Sequence, residues 1–320
     1  MSAIVEIRDL NKHFGGRVAV DHVSMAIEAG EIFGLVGPNG AGKTTTMRML
    51  VTLLEPDSGE ILVGGHSVSH DPSRVRALIG YMPDAFGVYD QMTVSEYLDF
   101  FGACYGIPPA QRVSLIKDLL ELVDIGHRRD DMVDTLSRGL KQRLGLARVL
   151  MHDPGVLVLD EPASGLDPRA RVEIRELLLE IARLGKTILF SSHILADVAE
   201  LCSRVAIMES GRLVAVGSLD ELSREAVPHR LVQFALLNHP DAAEAQAALA
   251  SLPGLSNVRP QEGFVRTDWL AFKAEFDGDD DALQSLLRQA LDRGLPVVHF
   301  SEQTQDLEEV FMRTTRGIVS

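Results

Sequence analysis

The sequence predicts an α/β protein whose core is a parallel β-sheet covered by helices. Two nearly continuous apolar runs, residues 32–36 and 156–159, have the composition of strands that are buried on both faces. A third apolar run, at 187–191, follows a segment at 169–184 with the spacing of an amphipathic helix. Strands that alternate with helices in this way favour parallel strand–helix–strand units.

Shorter strands are predicted before and after this core. Residues 4–7 and 23–27 alternate apolar and polar side chains, with a Gly-Gly turn between them, and indicate an antiparallel β subdomain. Residues 205–208 and 213–216 are joined by a segment that contains Ser-Gly and are typical of a closing hairpin.

The middle of the chain, at about 93–151, is predicted to form a helical subdomain. Thr93 and Glu96 have the spacing of a capping box, in which each side chain binds the backbone N–H of the other residue. Apolar residues with helical spacing follow between 115 and 123.

The composition changes after about Leu222, which predicts one domain at 1–222 and a second at 223–320. Between 231 and 314 the pattern predicts strand, helix, strand, strand, helix, strand and a last short helix. This order describes a small C-terminal α+β domain of the ferredoxin-like kind. Its sequence contains no motif that points to chemistry.

The overall composition excludes several classes of protein. A formal net charge of −15 argues against broad binding to nucleic acid, which normally requires a basic face. No apolar run reaches the roughly 18–20 residues that cross a bilayer, and the N-terminus lacks the features of a signal peptide. Cys104 and Cys202 are isolated, so we expect two buried free thiols in a reducing cytoplasm.

A glycine-rich loop joins the first buried strand to a helix and matches the pattern G-x-x-x-x-G-K-[ST]. Glycines let successive backbone N–H groups converge on phosphate oxygens, and the helix adds the positive end of its dipole. Lys43 is expected to reach the β- and γ-phosphates, and the Thr44 hydroxyl to bind Mg²⁺. These features predict the core of a P-loop NTPase. The predicted nucleotide-binding residues of the loop are Gly37, Pro38, Asn39, Gly40, Ala41, Gly42, Lys43, Thr44 and Thr45.

Polar side chains also follow the next two buried strands. Asp160 ends the strand at 156–159, where an open α/β sheet places ligand-binding groups, and we expect it to hold Mg²⁺ through water. Glu161 is the candidate that orients and deprotonates an attacking water, although a solvated strand end is the alternative. His193 follows the strand at 187–191 and so lies at the same edge of the sheet. With Lys43, these two side chains are the predicted catalytic residues.

A Ser-x-Gly helix start lies between the loop and the acidic strand. Ser137 is a suitable N-cap for a helix at 139–151, and the helix start beside Gly139 is suited to bind an anion. The intervening helical region hinders this helix start from reaching the nucleotide held by Lys43. A head-to-tail pair of domains would allow each helix start to bind the nucleotide of its partner.

This set of motifs, in this order, resembles the ATP-binding-cassette (ABC) ATPases. The resemblance implies that Ser137 and Gly139 belong to a signature sequence that closes over the ATP of a second copy of the domain. It also implies that Phe14 stacks on adenine, that Asp167 faces the partner subunit, and that His193 contacts the γ-phosphate.

A narrower resemblance is to bacterial exporter ATPases of the drug or antibiotic efflux type. It rests on the runs at 37–46 and 136–140 and on the tail at 306–311. It implies an ATP-hydrolysing subunit on the cytoplasmic face of the cell membrane, with ATP and Mg²⁺ as cofactors. Its partners would be a second ATP-binding subunit and integral membrane permease subunits. The surface at 86–101 is our candidate for docking a membrane-subunit helix, and a core role is equally consistent.

Two positions depart from the family pattern. Arg138 and Leu140 replace the third and fifth residues of Leu-Ser-Gly-Gly-Gln, and Arg138 either adds positive charge near the partner's phosphates or is simply solvated. Asp84 stands where the family usually has Gln. A carboxylate there can bind Mg²⁺ but brings negative charge towards the triphosphate. We therefore expect Asp84 to lie near the metal and to make activity more dependent on Mg²⁺.

Two alternative functions remain open at this point. The first is a soluble regulatory ATPase that acts on nucleic acid or ribosomes, for which a basic surface, a coiled-coil insertion or two cassettes in one chain would be evidence. The second is a degenerate nucleotide-binding module that dimerises without turnover.

Overall fold

The computed structural model describes residues 3–84, 87, 91–226, 230–237, 241–261 and 269–303. The chain divides into two compact units near the position where its composition changes. The first unit contains the continuous stretch Met1–Leu219, and the second is Asp220–Arg313.

The first unit combines two β-sheets with helices. Its strands are β1 (Ala3–Phe14), β2 (Arg17–Glu28), β3 (Ile32–Val36), β4 (Ser58–Val63), β5 (His66–Ser67), β6 (Ile79–Met82), β7 (Val156–Asp160), β8 (Thr187–Ser192), β9 (Arg204–Glu209) and β10 (Arg212–Ser218). Its helices are α1 (Lys43–Leu50), α2 (Pro72–Leu78), α3 (Val94–Cys104), α4 (Pro109–Leu122), α5 (Arg138–Leu150), α6 (Pro168–Arg183) and α7 (Leu195–Leu201).

The central sheet has six strands in the order β10-β9-β3-β8-β7-β6. β3 pairs in parallel with β8 and β9, and β7 pairs in parallel with β8 and β6. β10 is antiparallel to β9 and forms the predicted hairpin at the edge. The predicted parallel core is therefore confirmed. Because β3, β7 and β8 run in the same direction, the residues that follow them lie at one edge of the sheet.

The antiparallel sheet has the order β2-β1-β4-β5, and the predicted β subdomain is thus also confirmed. One apolar core joins this sheet to the central sheet and to α1. It includes Val5 and Leu10 of β1, Phe33 of β3 and Met47 of α1, all of which are fully buried. The helix that begins at the glycine-rich loop is therefore anchored on both sheets.

The helical part of the first unit contains α3, α4 and α5. The Thr93 N–H donates to Glu96 Oε2 at 2.8 Å and the Glu96 N–H donates to Thr93 Oγ1 at 3.3 Å, so the predicted capping box is confirmed. Cys202 is buried but Cys104 is exposed, so the expectation of two buried thiols is wrong for Cys104. Cys104 is the last residue of α3, where a side chain can point to solvent.

The second unit begins within α8 (Leu219–Ala226) and has a four-stranded antiparallel sheet in the order β12-β13-β11-β14. The described elements have the predicted order strand, helix, strand, strand, helix, strand. They are β11 (Arg230–Leu237), α9 (Ala242–Ala250), β12 (Leu255–Pro260), β13 (Trp269–Phe276), α10 (Asp280–Asp292) and β14 (Val297–Gln303).

The apolar face of this sheet packs against α9 and α10 through residues that include Phe234, Phe272, Leu249 and Leu286. The predicted last helix and the tail at 306–311 lie outside the described residues. Among the residues that the structure describes, no helix has the length and apolar character needed to cross a membrane.

Candidate functional site

The glycine-rich loop leads directly from β3 into α1, and two of its glycines pack too closely for a side chain. A Cβ on Gly37 would lie 2.3 Å from the Met208 carbonyl oxygen. Gly42 has a φ of 104°, and its Cβ would lie 2.5 Å from the Ala19 carbonyl oxygen. Close packing of this kind keeps the loop backbone next to β9 and β2, with the start of α1 at the edge of the sheet.

Lys43 is the first residue of α1, and its side chain turns back into the loop. Its ammonium donates to the Gly37 carbonyl oxygen at 2.7 Å and to the Pro38 carbonyl oxygen at 3.3 Å. It also lies 3.6 Å from Glu161 Oε1. Burial lowers the pKa of Lys43, and the charges of Glu161 and Asp160 oppose this shift. The loop therefore holds a buried cation at its centre.

Asp160 ends β7 and is 2% exposed. Its Oδ1 accepts hydrogen bonds from the Thr44 hydroxyl at 3.2 Å and from the Ser191 hydroxyl at 2.6 Å. Thr44 belongs to α1 and Ser191 to β8, so one carboxylate oxygen connects the loop helix to two neighbouring strands. A hydroxyl oxygen and a carboxylate at this separation form a set of hard oxygen donors.

Glu161 follows Asp160 and has a φ of 52°, a left-handed conformation that is costly for a residue with a Cβ. The Ser191 hydroxyl accepts a hydrogen bond from the Glu161 N–H at 2.9 Å, which helps to hold this conformation. Glu161 Oε2 lies 2.7 Å from His193 Nδ1. An ionised carboxylate only accepts hydrogen bonds, so the ring nitrogen is the donor. The Glu161 carboxylate thus lies between the ammonium of Lys43 and the ring nitrogen of His193.

A cavity of about 430 Å³, here called the phosphate-loop cavity, lies in front of these groups. It brings together many of the side chains that the sequence predicted to bind nucleotide or metal. Gly37 and His193 adjoin it through their hydrogen bonds to Lys43 and Glu161. The lining residues are Phe14, Arg17, Ala19, Pro38, Asn39, Gly40, Ala41, Gly42, Lys43, Thr44, Thr45, Asp84, Asp160 and Glu161.

Phe14 and Asp84 lie on the rim of the phosphate-loop cavity. Phe14 ends β1, and its side chain is 51% exposed, so a face of the ring is accessible to a ligand. Asp84 follows β6 and is exposed. Asp84 lines the same cavity as Thr44 and Asp160, the residues predicted to bind Mg²⁺. Its own role near the metal stays a prediction.

The predicted signature residues lie elsewhere. Ser137 is the N-cap of α5, and its hydroxyl accepts a hydrogen bond from the Leu140 N–H at 3.4 Å. A second cavity of about 280 Å³, here called the signature cavity, contains this helix start. Its lining residues are Ser137, Arg138, Gly139, Leu140, Arg143, Gly165, Leu166, Asp167, Arg169, Ala170, Glu173 and Ile174.

Asp167 contributes to the signature cavity as the N-cap of α6. One of its carboxylate oxygens accepts hydrogen bonds from the Arg169 and Ala170 N–H groups, both at 3.0 Å. Arg138 packs against the same segment, because a Cβ on Gly165 would lie 2.7 Å from the guanidinium carbon. The structure therefore adds a third role for Arg138, a contact between the start of α5 and the segment that precedes α6.

Sequence reasoning missed Arg17 and Ala19, which line the phosphate-loop cavity, and Ser191, which binds the acidic residues behind it. Ser191 binds both Asp160 and the Glu161 backbone, and Arg17 lies beside the loop, with Nη2 3.6 Å from the position of a Cβ on Gly40. The position of Ser191 at the end of a buried strand next to His193 was the available signal. Arg17 follows the Gly-Gly turn after Phe14 and carried no such signal.

A family model described as "ABC transporter" matches residues 20–164. The linearmycin resistance ATP-binding protein LnrL of Bacillus subtilis (strain 168) is 30% identical over 312 residues, with 98% of each chain covered. The Nod factor export ATP-binding protein I of Burkholderia lata is 34% identical over 319 residues, covering 98% of this chain and 97% of that protein.

A longer relative and two solved structures match about 70% of the chain. The probable multidrug ABC transporter ATP-binding protein YbhF of Escherichia coli (strain K12) is 39% identical over 223 residues, or 70% of this chain and 38% of that protein. The structure of cbiO1 from Clostridium perfringens has a TM-score of 0.64 and 31% identity, covering 69% of this chain and 91% of that chain. A structure of an ATP-binding subunit of an ABC transporter has a TM-score of 0.63 and 30% identity, covering 69% and 92%. The chain therefore belongs to the ABC transporter family, as an ATP-binding and ATP-hydrolysing subunit.

Proposed function

We propose that this subunit powers export by closing with a second copy of itself around ATP. The phosphate loop of one copy and the signature of the other bind each nucleotide from opposite sides. One observation carries this proposal: among the described residues that line the phosphate-loop cavity, none belongs to the signature. Each chain contains one phosphate loop and one signature, so two copies form two complete nucleotide sites.

The phosphate loop binds the triphosphate of the substrate ATP. Lys43 donates to two loop carbonyl oxygens, and phosphate oxygens replace these acceptors with stronger, charged ones. The backbone N–H groups at the start of α1 point towards the same phosphates. Phe14 also lines the cavity and stacks on the adenine ring, with its exposed ring as the platform.

Thr44 and Asp160 fit the requirements of Mg²⁺. Magnesium is usually bound by one or two protein oxygens together with waters and substrate phosphates, so it does not need a cluster of carboxylates. The Thr44 hydroxyl and Asp160 Oδ1 are 3.2 Å apart, and Asp84 lines the same cavity. When bound there, Mg²⁺ would neutralise charge on the phosphates.

Glu161 is the general base in our proposal. It accepts a proton from the attacking water as the water oxygen bonds to the γ-phosphorus and the bond to the β-phosphate oxygen breaks. His193 orients the Glu161 carboxylate through the 2.7 Å hydrogen bond, and its side chain is 48% exposed, so the γ-phosphate can approach the ring.

Closure of the dimer depends on the γ-phosphate. The Ser137 hydroxyl and the N–H groups at the start of α5 bind the γ-phosphate of the ATP held by the partner. Hydrolysis removes this phosphate and with it the contact between the two copies. Asp167 fixes the neighbouring start of α6 and faces the same interface. The switch between closed and open dimers is the movement that a transporter couples to its cargo.

Export through separate integral membrane permease subunits is supported by the names of relatives that match over nearly the whole chain. These proteins are named for linearmycin resistance and for Nod factor export. We therefore place the subunit at the cytoplasmic face of the cell membrane, and expect no nucleic acid partner since the net charge is −15. Part of the candidate docking surface at 86–101, including Phe86, lies outside the described residues.

The test uses the Glu161→Gln variant, which keeps the shape of the side chain but removes the base. We expect its hydrolysis rate to fall by about 10²- to 10⁴-fold while ATP binding persists. We also expect light scattering to detect dimers of the variant in ATP and monomers in ADP. Equal phosphate release by wild type and variant would remove the catalytic role of Glu161. A variant that stays monomeric in ATP, even with its permease subunits, would contradict shared sites.

A further inference from the structure

Phe14 is exposed, although a ring that stacks on a base needs a defined orientation. It is the last residue of β1, just before the turn to β2, and its side chain is 51% exposed. Such a ring is oriented mainly by the backbone that carries it. The contacts of the three residues before Phe14 therefore decide how well the ring is placed for a ligand.

The end of β1 is irregular. Its pairing with β4 stops at Asn11 opposite Ser58, and its register with β2 shifts between Leu10 and Lys12 and again between Lys12 and His13. Beyond Asn11, the edge of β1 that faced β4 has lost its partner strand. The backbone N–H groups on that side then bind either water or another part of the chain.

Asp57 takes the place of the missing strand. Its backbone N–H donates to the Asn11 carbonyl oxygen at 3.0 Å. Its Oδ1 accepts from Lys12 Nζ at 2.7 Å, and its Oδ2 accepts from the His13 N–H at 2.7 Å, with His13 Nδ1 at 3.3 Å. A single residue thus binds three consecutive residues of β1, and the next residue is Phe14.

The bound lysine also contacts the ring. Lys12 Nζ lies 5.7 Å from the centre of the Phe14 ring. The Lys12 side chain is only 13% exposed, which is low for a lysine on an open surface. The carboxylate of Asp57 therefore holds both the backbone below the ring and a cation next to it.

Charge supports the same picture. The hydrogen bonds from Lys12 and His13 lower the pKa of Asp57, so the carboxylate is ionised near neutral pH and binds both donors. Asp57 is itself 40% exposed, and an exposed ion pair contributes little to the stability of a fold. We therefore expect Asp57 to affect the orientation of the Phe14 ring more than the stability of the fold.

We propose that Asp57 is a positioning residue that orients Phe14 for stacking on the base of the nucleotide. The proposal rests on the role of Phe14 given above. Asp57 comes from the connection between α1 and β4, so it also links the phosphate loop helix to the base platform. Asp57 acts through Phe14, since it is not among the described residues that line the phosphate-loop cavity.

The experiment measures binding of two probes to the full chain by calorimetry: ATP, which has a base, and inorganic tripolyphosphate, which does not. Phe14→Ala is expected to weaken ATP binding by about five- to a hundredfold, the range of a lost base–aromatic stack. Asp57→Ala should weaken ATP binding by about three- to tenfold, because a misplaced ring keeps part of the stack. Neither variant should change the affinity for tripolyphosphate.

Two further variants define the mechanism. Asp57→Asn keeps an acceptor for the His13 N–H but loses the charge that holds Lys12, so its effect should be smaller than that of Asp57→Ala. Asp153→Ala is the matched control, because Asp153 forms an exposed ion pair with Lys186 outside the cavity. It should leave both affinities unchanged. In a Phe14→Ala background, adding Asp57→Ala should have no further effect.

Three results would overturn the proposal. If Phe14→Ala weakens ATP binding but Asp57→Ala does not, the positioning role is wrong while the role of Phe14 stands. If Phe14→Ala has no effect, the base platform itself is wrong, and the role of Asp57 with it. Equal weakening of ATP and tripolyphosphate by Asp57→Ala, or additive effects of the two substitutions, would mean that Asp57 acts independently of the ring.

Discussion

The phosphate-loop cavity and the signature cavity lie in the same compact unit but are built in different ways. The first is formed where the ends of β3, β7 and β8 meet, and it contains the buried charges of Lys43 and Asp160. The second lies at the starts of α5 and α6, and the Ser137 and Asp167 side chains there are exposed. Buried and connected groups are suited to chemistry, whereas exposed helix starts are suited to an interface that forms and breaks.

This difference separates two kinds of defect. A change in the phosphate-loop cavity should alter either ATP binding by a single copy or the chemical step in the closed dimer. A change in the signature cavity should leave ATP binding by a single copy intact and affect only the closed dimer. The substitutions below test that division, from the largest expected effect to the smallest.

Gly139→Asp is expected to have the largest effect of the changes in the signature cavity. A Cβ on Gly139 would meet only the Ala170 Cβ at 3.5 Å, an ordinary contact, so the fold should tolerate a side chain there. A carboxylate facing the partner's phosphates costs several kcal/mol through like-charge repulsion, so hydrolysis should fall by about a hundredfold or more. Calorimetry should show unchanged ATP binding by the monomer. A matched Gly139→Ala variant that loses as much activity would contradict a charge effect.

Asp84→Gln should change the dependence on Mg²⁺. Asp84 adds negative charge to the rim of the phosphate-loop cavity, and glutamine removes this charge with a side chain that is one methylene longer. The magnesium concentration for half-maximal hydrolysis should fall by about two- to fivefold, as expected for one exposed charge. A titration with Mg²⁺ at saturating ATP measures this value. An unchanged magnesium dependence would remove Asp84 from the metal site.

Arg138→Gly should have the smallest effect. Its guanidinium packs on Gly165, so its loss should loosen the contact between the starts of α5 and α6 and raise the ATP concentration for half-maximal dimer formation by about threefold. Light scattering of the Glu161→Gln background measures this concentration. If Arg138→Lys forms dimers at the same ATP concentration as Arg138 does, the positive charge of this residue supports closure. The packing of its planar guanidinium on Gly165 would then not be required.

Much of the phosphate-loop cavity could be predicted from the sequence. Lys43, Asp160 and His193 each follow the end of a strand that the apolar pattern marks, and parallel strands bring such ends to one edge. The register of the capping box at Thr93 and the order of elements in the second unit were also predictable, since both depend on local spacing.

Contacts between distant segments could not be predicted. Ser191 binds Asp160 only because β7 and β8 are neighbours in the sheet, and serine at a strand end is otherwise common. Asp57 and His13 are 44 residues apart and meet where regular pairing has ended. The exposure of Cys104 was mispredicted because the isolated position of a cysteine in the sequence does not determine which face of a helix it takes. The roles of the individual site residues stay predictions until they are tested.

The central claim is that each ATP is shared between two copies of the chain, and mixing two inactive variants tests it most directly. Glu161→Gln keeps its signature, and Gly139→Asp keeps its base, so a mixed dimer contains one intact composite site. Hydrolysis in an equal mixture should recover towards roughly a quarter of the wild-type rate, because half of randomly formed dimers are mixed and one of their two sites is whole. A mixture that is no more active than the two variants measured separately would contradict the shared site.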